Sequence, residues 1–258
     1  MVTKKTVQPR EELEQKDPQK HRHQPTNNAL KLKLDHLKTF EPLTENQSLF
    51  FNAYKQGDYF IALHGVAGTG KTFVGLYLAL KDVLDDRTPY EKVYIVRSLV
   101  ATREIGFLPG DHEDKSSLYQ IPYKNMCKYM FEMPSDADFE MLYGNLKSQE
   151  TISFWSTSFI RGTTLDNAIV LVDEMQNLNF HELDSIITRI GENSKIIFCG
   201  DATQSDLIKT QERNGILDFM KIIRAMTYDF SIVEFGVDDI VRSGLVKEYI
   251  IAKMEAGF

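Results

Sequence analysis

The stretch that decides the fold is "HGVAGTGKT", His64-Gly65-Val66-Ala67-Gly68-Thr69-Gly70-Lys71-Thr72. It fits Gly-x-x-x-x-Gly-Lys-Thr, with the apolar run "YFIALH" before it and "KTFVGLYLALKDVL" after it. That context, strand then loop then helix, gives the spacing its chemistry. Gly65, Gly68 and Gly70 can adopt backbone angles that other residues resist. Consecutive N–H groups from Gly65 to Thr72 then turn inward around a polyphosphate, and the helix starting near Lys71 adds its positive end. The spacing predicts Lys71 on the β- and γ-phosphates and the Thr72 hydroxyl on Mg²⁺. His64 reads as a strand residue.

A loop that holds a triphosphate needs a partner for the metal. "IVLVDE" supplies one, four apolar residues ending in Asp173 and Glu174. An acid at the carboxyl end of a buried strand sits at the crevice of an open α/β sheet. Asp173 is the candidate metal residue and Glu174 the candidate base for the attacking water. Two acids in tandem favour hydrolysis of ATP. The next strand ends in "FCGDATQSD", which puts Gln204 in place to sense the γ-phosphate or the water. Upstream, Gln47 lies on a short helix. Its amide donates and accepts together, matching an adenine edge, and it also fits a capping box with Thr44.

Outward from these motifs the elements alternate. "LTENQSLFFNAYKQ" reads as a helix capped by Thr44. "KVYIVR", "AIVLVDE", "KIIFCGD" and "SIVEF" read as strands, with "HELDSIITRI" and "LVKEYIIAKMEA" as helices. The pattern predicts an α/β, RecA-like P-loop fold, with a mainly parallel, doubly wound sheet flanked by helices. The segment from about 118 to 161 breaks the rhythm and reads as helices and a short hairpin inserted over the sheet edge. Residues 34–258 are expected to form a single P-loop ATPase domain.

Residues 1–33 carry eight basic and four acidic side chains, a net of +4, which leaves −11 for the remainder. This leader reads as flexible, or as a basic arm for nucleic acid. The overall charge of −7 excludes a protein that coats nucleic acid by bulk electrostatics. No run of 18 apolar residues predicts a membrane span, and the N-terminus has no signal-peptide pattern. Two cysteines, Cys127 and Cys199, cannot form a disulfide framework, which points to a cytoplasmic setting.

Together these residues resemble the PhoH family, ATPases named for phosphate-starvation induction and related to one lobe of superfamily 1 helicases. "VRSLVATREIGFLPGDHEDK" (Val96–Lys115), "FIRGTTLDNAIVLVDEMQN", "RIGENSKIIFCGDATQSDL" and "DDIVRSGLV" resemble the family's blocks in the same order, over roughly residues 40–255. Ser98 stands where the family usually has proline and Met175 where it has alanine, and neither removes a reactive group. Without the extra nuclease or RNA-binding modules of some relatives, the sequence resembles the compact versions carried by bacteriophages. The resemblance implies ATP and Mg²⁺ as ligands and single-stranded RNA or DNA as a partner. It also implies a homo-oligomer, with a hexameric ring as the expected form, in a bacterial or phage-infected host cytoplasm.

A helicase has two lobes to clasp one nucleotide, and this sequence has one. Phosphoryl transfer commonly calls for an arginine worth about 10³–10⁵ in rate. Arg242 is the candidate, in cis or from a neighbour, against a surface ion pair with Asp238 or Asp239. Arg97 and Arg161, near strand ends, are candidates for phosphate or nucleic-acid contact. Arg103, Lys115, Lys124, Lys128, Tyr119, Tyr123 and Trp155 are further material for a nucleic-acid track. A small-molecule kinase and a non-catalytic nucleotide-responsive module are the alternatives. Leu118–Ser158 holds three lysines and no arginine, too little for a kinase lid, and Glu174 is superfluous to a pure switch.

Overall fold

The computed structural model describes residues 34–98, 112–157, 160, 162–201, 210–228 and 230–256. The expected leader, Arg103, Arg161, Gln204 and the Gly106–Asp111 loop lie outside the described residues. Six strands form one sheet: β1 (Phe60–Gly65), β2 (Lys92–Arg97), β3 (Ile152–Ser156), β4 (Ala168–Val172), β5 (Lys195–Gly200) and β6 (Phe230–Phe235). Their order across the sheet is β3-β2-β4-β5-β1-β6, and each pairing is parallel.

The central strands β1, β4 and β5 read as nearly continuous apolar runs because helices cover both faces. Every residue of β4 and β5 is buried. On one face Ile61, Leu63, Ile95, Leu171 and Cys199 pack against α1 (Glu45–Gln56), α2 (Lys71–Val83), α3 (His112–Met130) and α4 (Asp136–Ser148). On the other, Phe60, Ala62, Val170, Val172 and Phe198 pack against α5 (Phe180–Ile187) and α6 (Thr210–Ala225). A last helix, α7 (Gly244–Glu255), has no buried residue. Cys127 and Cys199 are both buried and free. Among the described residues no helix is long and apolar enough to cross a membrane.

Helix ends follow the local chemistry. Thr44 caps α1 by accepting from the Gln47 N–H, and Gly57, at φ +95°, ends it. Ser135 caps α4, and Asn179 with Glu182 forms a capping box on α5.

The segment expected to contain a hairpin is built otherwise. Ile152–Ser156 joins the main sheet as its edge strand, parallel to β2, with Val93 opposite Ile152 and Arg97 opposite Ser156. The partner lies far upstream, and a pairing at that separation leaves no local turn signal. Helix α6 was not among the expected elements. Its Asn214-Gly215 dipeptide is a turn signal, but in the structure Gly215 lets the helix lie against α5. A Cβ there would come within 2.9 Å of the Phe180 backbone nitrogen.

A second glycine decides how close α2 comes to the sheet. A Cβ at Gly75 would lie 3.0 Å from Leu171 Cδ1 and 3.6 Å from Cys199 Sγ, on the adjacent strands β4 and β5. Gly75→Leu should therefore lift α2 and cost about 1–3 kcal/mol. The measurement is a urea unfolding midpoint at constant slope. An unchanged midpoint would mean that α2 does not press on the sheet at this point.

Candidate nucleotide-binding site

The glycine loop leaves β1 where β6 ends beside it. Gly65, Gly68 and Gly70 have φ of +116°, +78° and +83°. At Gly65 space also excludes a side chain, since a Cβ would sit 2.2 Å from the Phe235 carbonyl oxygen. That oxygen accepts from the Val66 N–H at 2.9 Å. Gly70 is the N-cap of α2 and offers no capping side chain. The first N–H groups of α2 thus keep their capacity for an anion.

Lys71, 9% exposed, turns its ammonium into this loop. It donates to Gly65 O at 2.9 Å, Val66 O at 2.7 Å and Thr69 Oγ1 at 3.3 Å. Burial lowers its pKa, and the Cys199 thiol with Asp201, Glu174 and Asp173 pulls the other way. A buried cation held by neutral oxygens is a site where phosphate oxygens can take over.

The acids lie just past β4, and Asp173 N donates to Val96 O at 2.9 Å. Neighbouring residues in a strand point to opposite faces. The chain escapes that alternation by ending the strand at Val172 and placing Glu174 in the left-handed region, φ 52° and ψ 47°. Asp173 is 6% exposed, and its Oδ1 accepts from Thr72 Oγ1 at 2.7 Å. Glu174 accepts from Gln176 Nε2, and Gln176 Oε1 accepts from Asp201 N at 3.0 Å. Gly200 makes room for this arrangement, because a Cβ there would lie 2.4 Å from Gln176 Oε1.

The Thr72–Asp173 pair fits magnesium. Among the described residues no group of three or more His, Cys, Asp or Glu is arranged to hold a metal. Two protein oxygens suit an ion that keeps waters and phosphate oxygens as its other ligands.

Two residues read otherwise from sequence also belong here. Tyr123, on α3, is 1% exposed rather than part of a surface track. It donates to Asp173 Oδ2 at 2.7 Å. Burial, then Asp173, raises its pKa, so the phenol stays a donor. Arg97, at the end of β2, pulls that pKa the other way, and its guanidinium lies 5.9 Å from the Tyr119 ring centroid. Three other members of the expected track have local partners. Lys124 pairs with Glu140 and Lys128 with Asp136, and Trp155 packs edge-on against Tyr94. His64 is a strand residue, and burial lowers its pKa.

The loop is braced from α1 and from the chain after β6. Gln47, 2% exposed, donates to Thr69 O at 2.9 Å and accepts from Leu43 N at 2.8 Å. Asn46 donates to Asp239 at 2.7 Å, and Val241 N donates to Gly68 O at 3.1 Å. The stem of Arg242 lies over Gly68 of its own chain: a Cβ at Gly68 would be 3.1 Å from Arg242 Cγ and 3.3 Å from Ile250 Cδ1. Asp239 is engaged by Asn46 and by the Gly236 N–H. Gln176 and Gly75 escape sequence reading, and Tyr123 is read there for a different role. Only Gln176, two residues past the acid pair, carries a signal there.

The family model for PhoH-like protein matches residues 39–254. The chain belongs to the PhoH-like family. The PhoH-like protein of Mycobacterium leprae is 30% identical over 219 residues, 84% of this chain and 59% of its own. Protein PhoH of Escherichia coli is 30% identical over 189 residues, 73% of this chain and 51% of its own. Protein PhoH2 of Bacillus subtilis is 29% identical over 174 residues, 67% of this chain and 38% of its own. The chain thus spans between 38% and 59% of the length of these PhoH-like relatives. The large terminase of a thermophilic bacteriophage, in complex with ADP, aligns with 81% of this chain and 49% of its own at a TM-score of 0.46 and 14% identity. The fold stands on the sheet order and the loop instead.

Gln47→Leu keeps the volume but leaves Thr69 O and Leu43 N without these partners. It should cost about 1–3 kcal/mol, read as a lower thermal midpoint. No shift in the midpoint would mean that the loop is held without Gln47.

Proposed function

We propose that the chain is a magnesium-dependent ATP hydrolase of PhoH type, acting as one nucleotide-binding domain over residues 34–258. The observation that carries this is the 2.7 Å hydrogen bond joining Thr72, from the glycine loop, to Asp173, from the acid pair. Lys71, which precedes Thr72, turns its ammonium into the same glycine loop. The loop from Gly65 through Val66, Ala67, Gly68, Thr69 and Gly70 to Thr72 takes the triphosphate on its amides. Lys71 exchanges its loop oxygens for β- and γ-phosphate oxygens. Thr72 and Asp173 are the residues that would hold Mg²⁺, which when bound neutralises charge on the transferred phosphoryl group.

Glu174 takes the proton of the attacking water, held in orientation by Gln176. Arg242 is assigned to the charge on the phosphoryl group, and its stem over Gly68 supports a role in cis. Gln47 braces the loop, and the adenine edge has one remaining amide hydrogen there to meet. Gln204 and Arg161 keep the roles expected from sequence, on the γ-phosphate and on nucleic acid.

We further propose that hydrolysis is coupled to binding or remodelling single-stranded RNA or DNA, with Arg97 beside Tyr119 as a contact. We also propose a homo-oligomer, with a hexameric ring as the expected form. In support, α7, whose Ile250 lies against Gly68, exposes Leu245, Val246 and Tyr249. The setting we propose is the cytoplasm of a bacterium or an infected host.

Phosphate release from ATP, measured with and without single strands, tests this reading. Free phosphate identifies water as the acceptor, whereas a phosphorylated metabolite would identify a kinase. Lack of stimulation by any polynucleotide would remove the nucleic-acid half. Glu174→Gln should slow turnover by about 10²–10⁴ and still bind ATP. Lys71→Ala should lose turnover altogether, and normal hydrolysis by that variant would overturn the loop assignment.

A further inference from the structure

The inserted helix α3 meets the cation side of the site through one side chain. Tyr123 donates to Asp173 Oδ2 at 2.7 Å, and Thr72 donates to Oδ1 at 2.7 Å. Each carboxylate oxygen thus takes a donor from a different element. With both bonds made, the carboxylate cannot turn about its Cβ–Cγ bond without breaking one of them. Without Tyr123, only Thr72 would fix its rotation.

The phenol is well seated for this task. Its ring is buried 5.6 Å from the Phe154 ring on β3. The hydroxyl therefore ties α3 to the end of β4. Pro122 precedes Tyr123 inside α3, and its missing N–H interrupts the helix ladder beside this contact. One turn earlier on α3, Tyr119 lies under the Arg97 guanidinium. Any turn of Asp173 is thus felt by α3, and any shift of α3 is felt by Asp173.

We propose that Tyr123 is a positioning residue for the cation-binding carboxylate: its hydroxyl sets the rotation of Asp173 and couples α3 to the binding of a magnesium nucleotide. This rests on Asp173 being the cation-side acid of the proposed ATPase. A phenol that merely filled space would be replaced by phenylalanine without consequence for magnesium.

The test measures the affinity of the full chain for a fluorescent non-hydrolysable ATP analogue, once with Mg²⁺ and once with EDTA. Tyr123→Phe should weaken binding about tenfold with Mg²⁺, as expected for losing one charge-assisted hydrogen bond, and leave the affinity in EDTA unchanged. Equal losses under both conditions, or a full magnesium gain in the variant, would overturn the proposal. A second measurement uses the unaltered chain. Hydrogen exchange of the α3 amides should slow when the magnesium analogue is added, and an unresponsive α3 would overturn the coupling. If the unaltered chain gains nothing from Mg²⁺, the assignment of Asp173 itself falls, and the proposal with it.

Discussion

The hydrogen bond from Thr72 to Asp173 is the constraint around which this domain is arranged. Thr72 follows β1 and Asp173 follows β4, and β5 lies between those strands. Two strand spacings amount to about 9–10 Å, beyond the reach of a threonine. The first turn of α2 closes the gap because the helix crosses the face of β4 and β5. Gly75 lets it lie close there, one turn after Thr72. The bond is thus a property of the helix–sheet packing as much as of the two residues that make it.

The electrostatics have the same origin. A buried lysine faces its own loop carbonyls, and two acids follow β4 in tandem. Isolated buried charges are costly, and a fold selected for stability alone would pair them directly. Here the lysine is satisfied by neutral oxygens and the acids by Thr72, Tyr123 and Gln176. A triphosphate with its cation completes both sides at once. The left-handed backbone at Glu174 belongs to the same pattern, a local departure from regular structure where the chemistry is placed.

Much of this was legible in the sequence because its signals are local. The strand Lys92–Arg97 has the expected bounds, Thr44 caps its helix, and the glycine spacing puts Lys71 and Thr72 at the start of α2. What escaped depends on long-range contacts. "ISFWS" carries no sign that it pairs with β2. Tyr123 looks like any aromatic on a polar helix, because its partner Asp173 lies 50 residues later. Gly75 and Gly215 look like defects in helices until the neighbouring element that each one admits is seen. Membership of the PhoH-like family adds the order of the motifs, which no single motif carries.

The central claim is that the glycine loop and the acid pair act on one ligand. A double-mutant cycle of Thr72→Val and Asp173→Asn, read as affinity for a magnesium nucleotide analogue, tests it most directly. The account predicts a coupling of about 1 kcal/mol or more between the two sites. Losses that add to within about 0.5 kcal/mol would show two independent sites and contradict it.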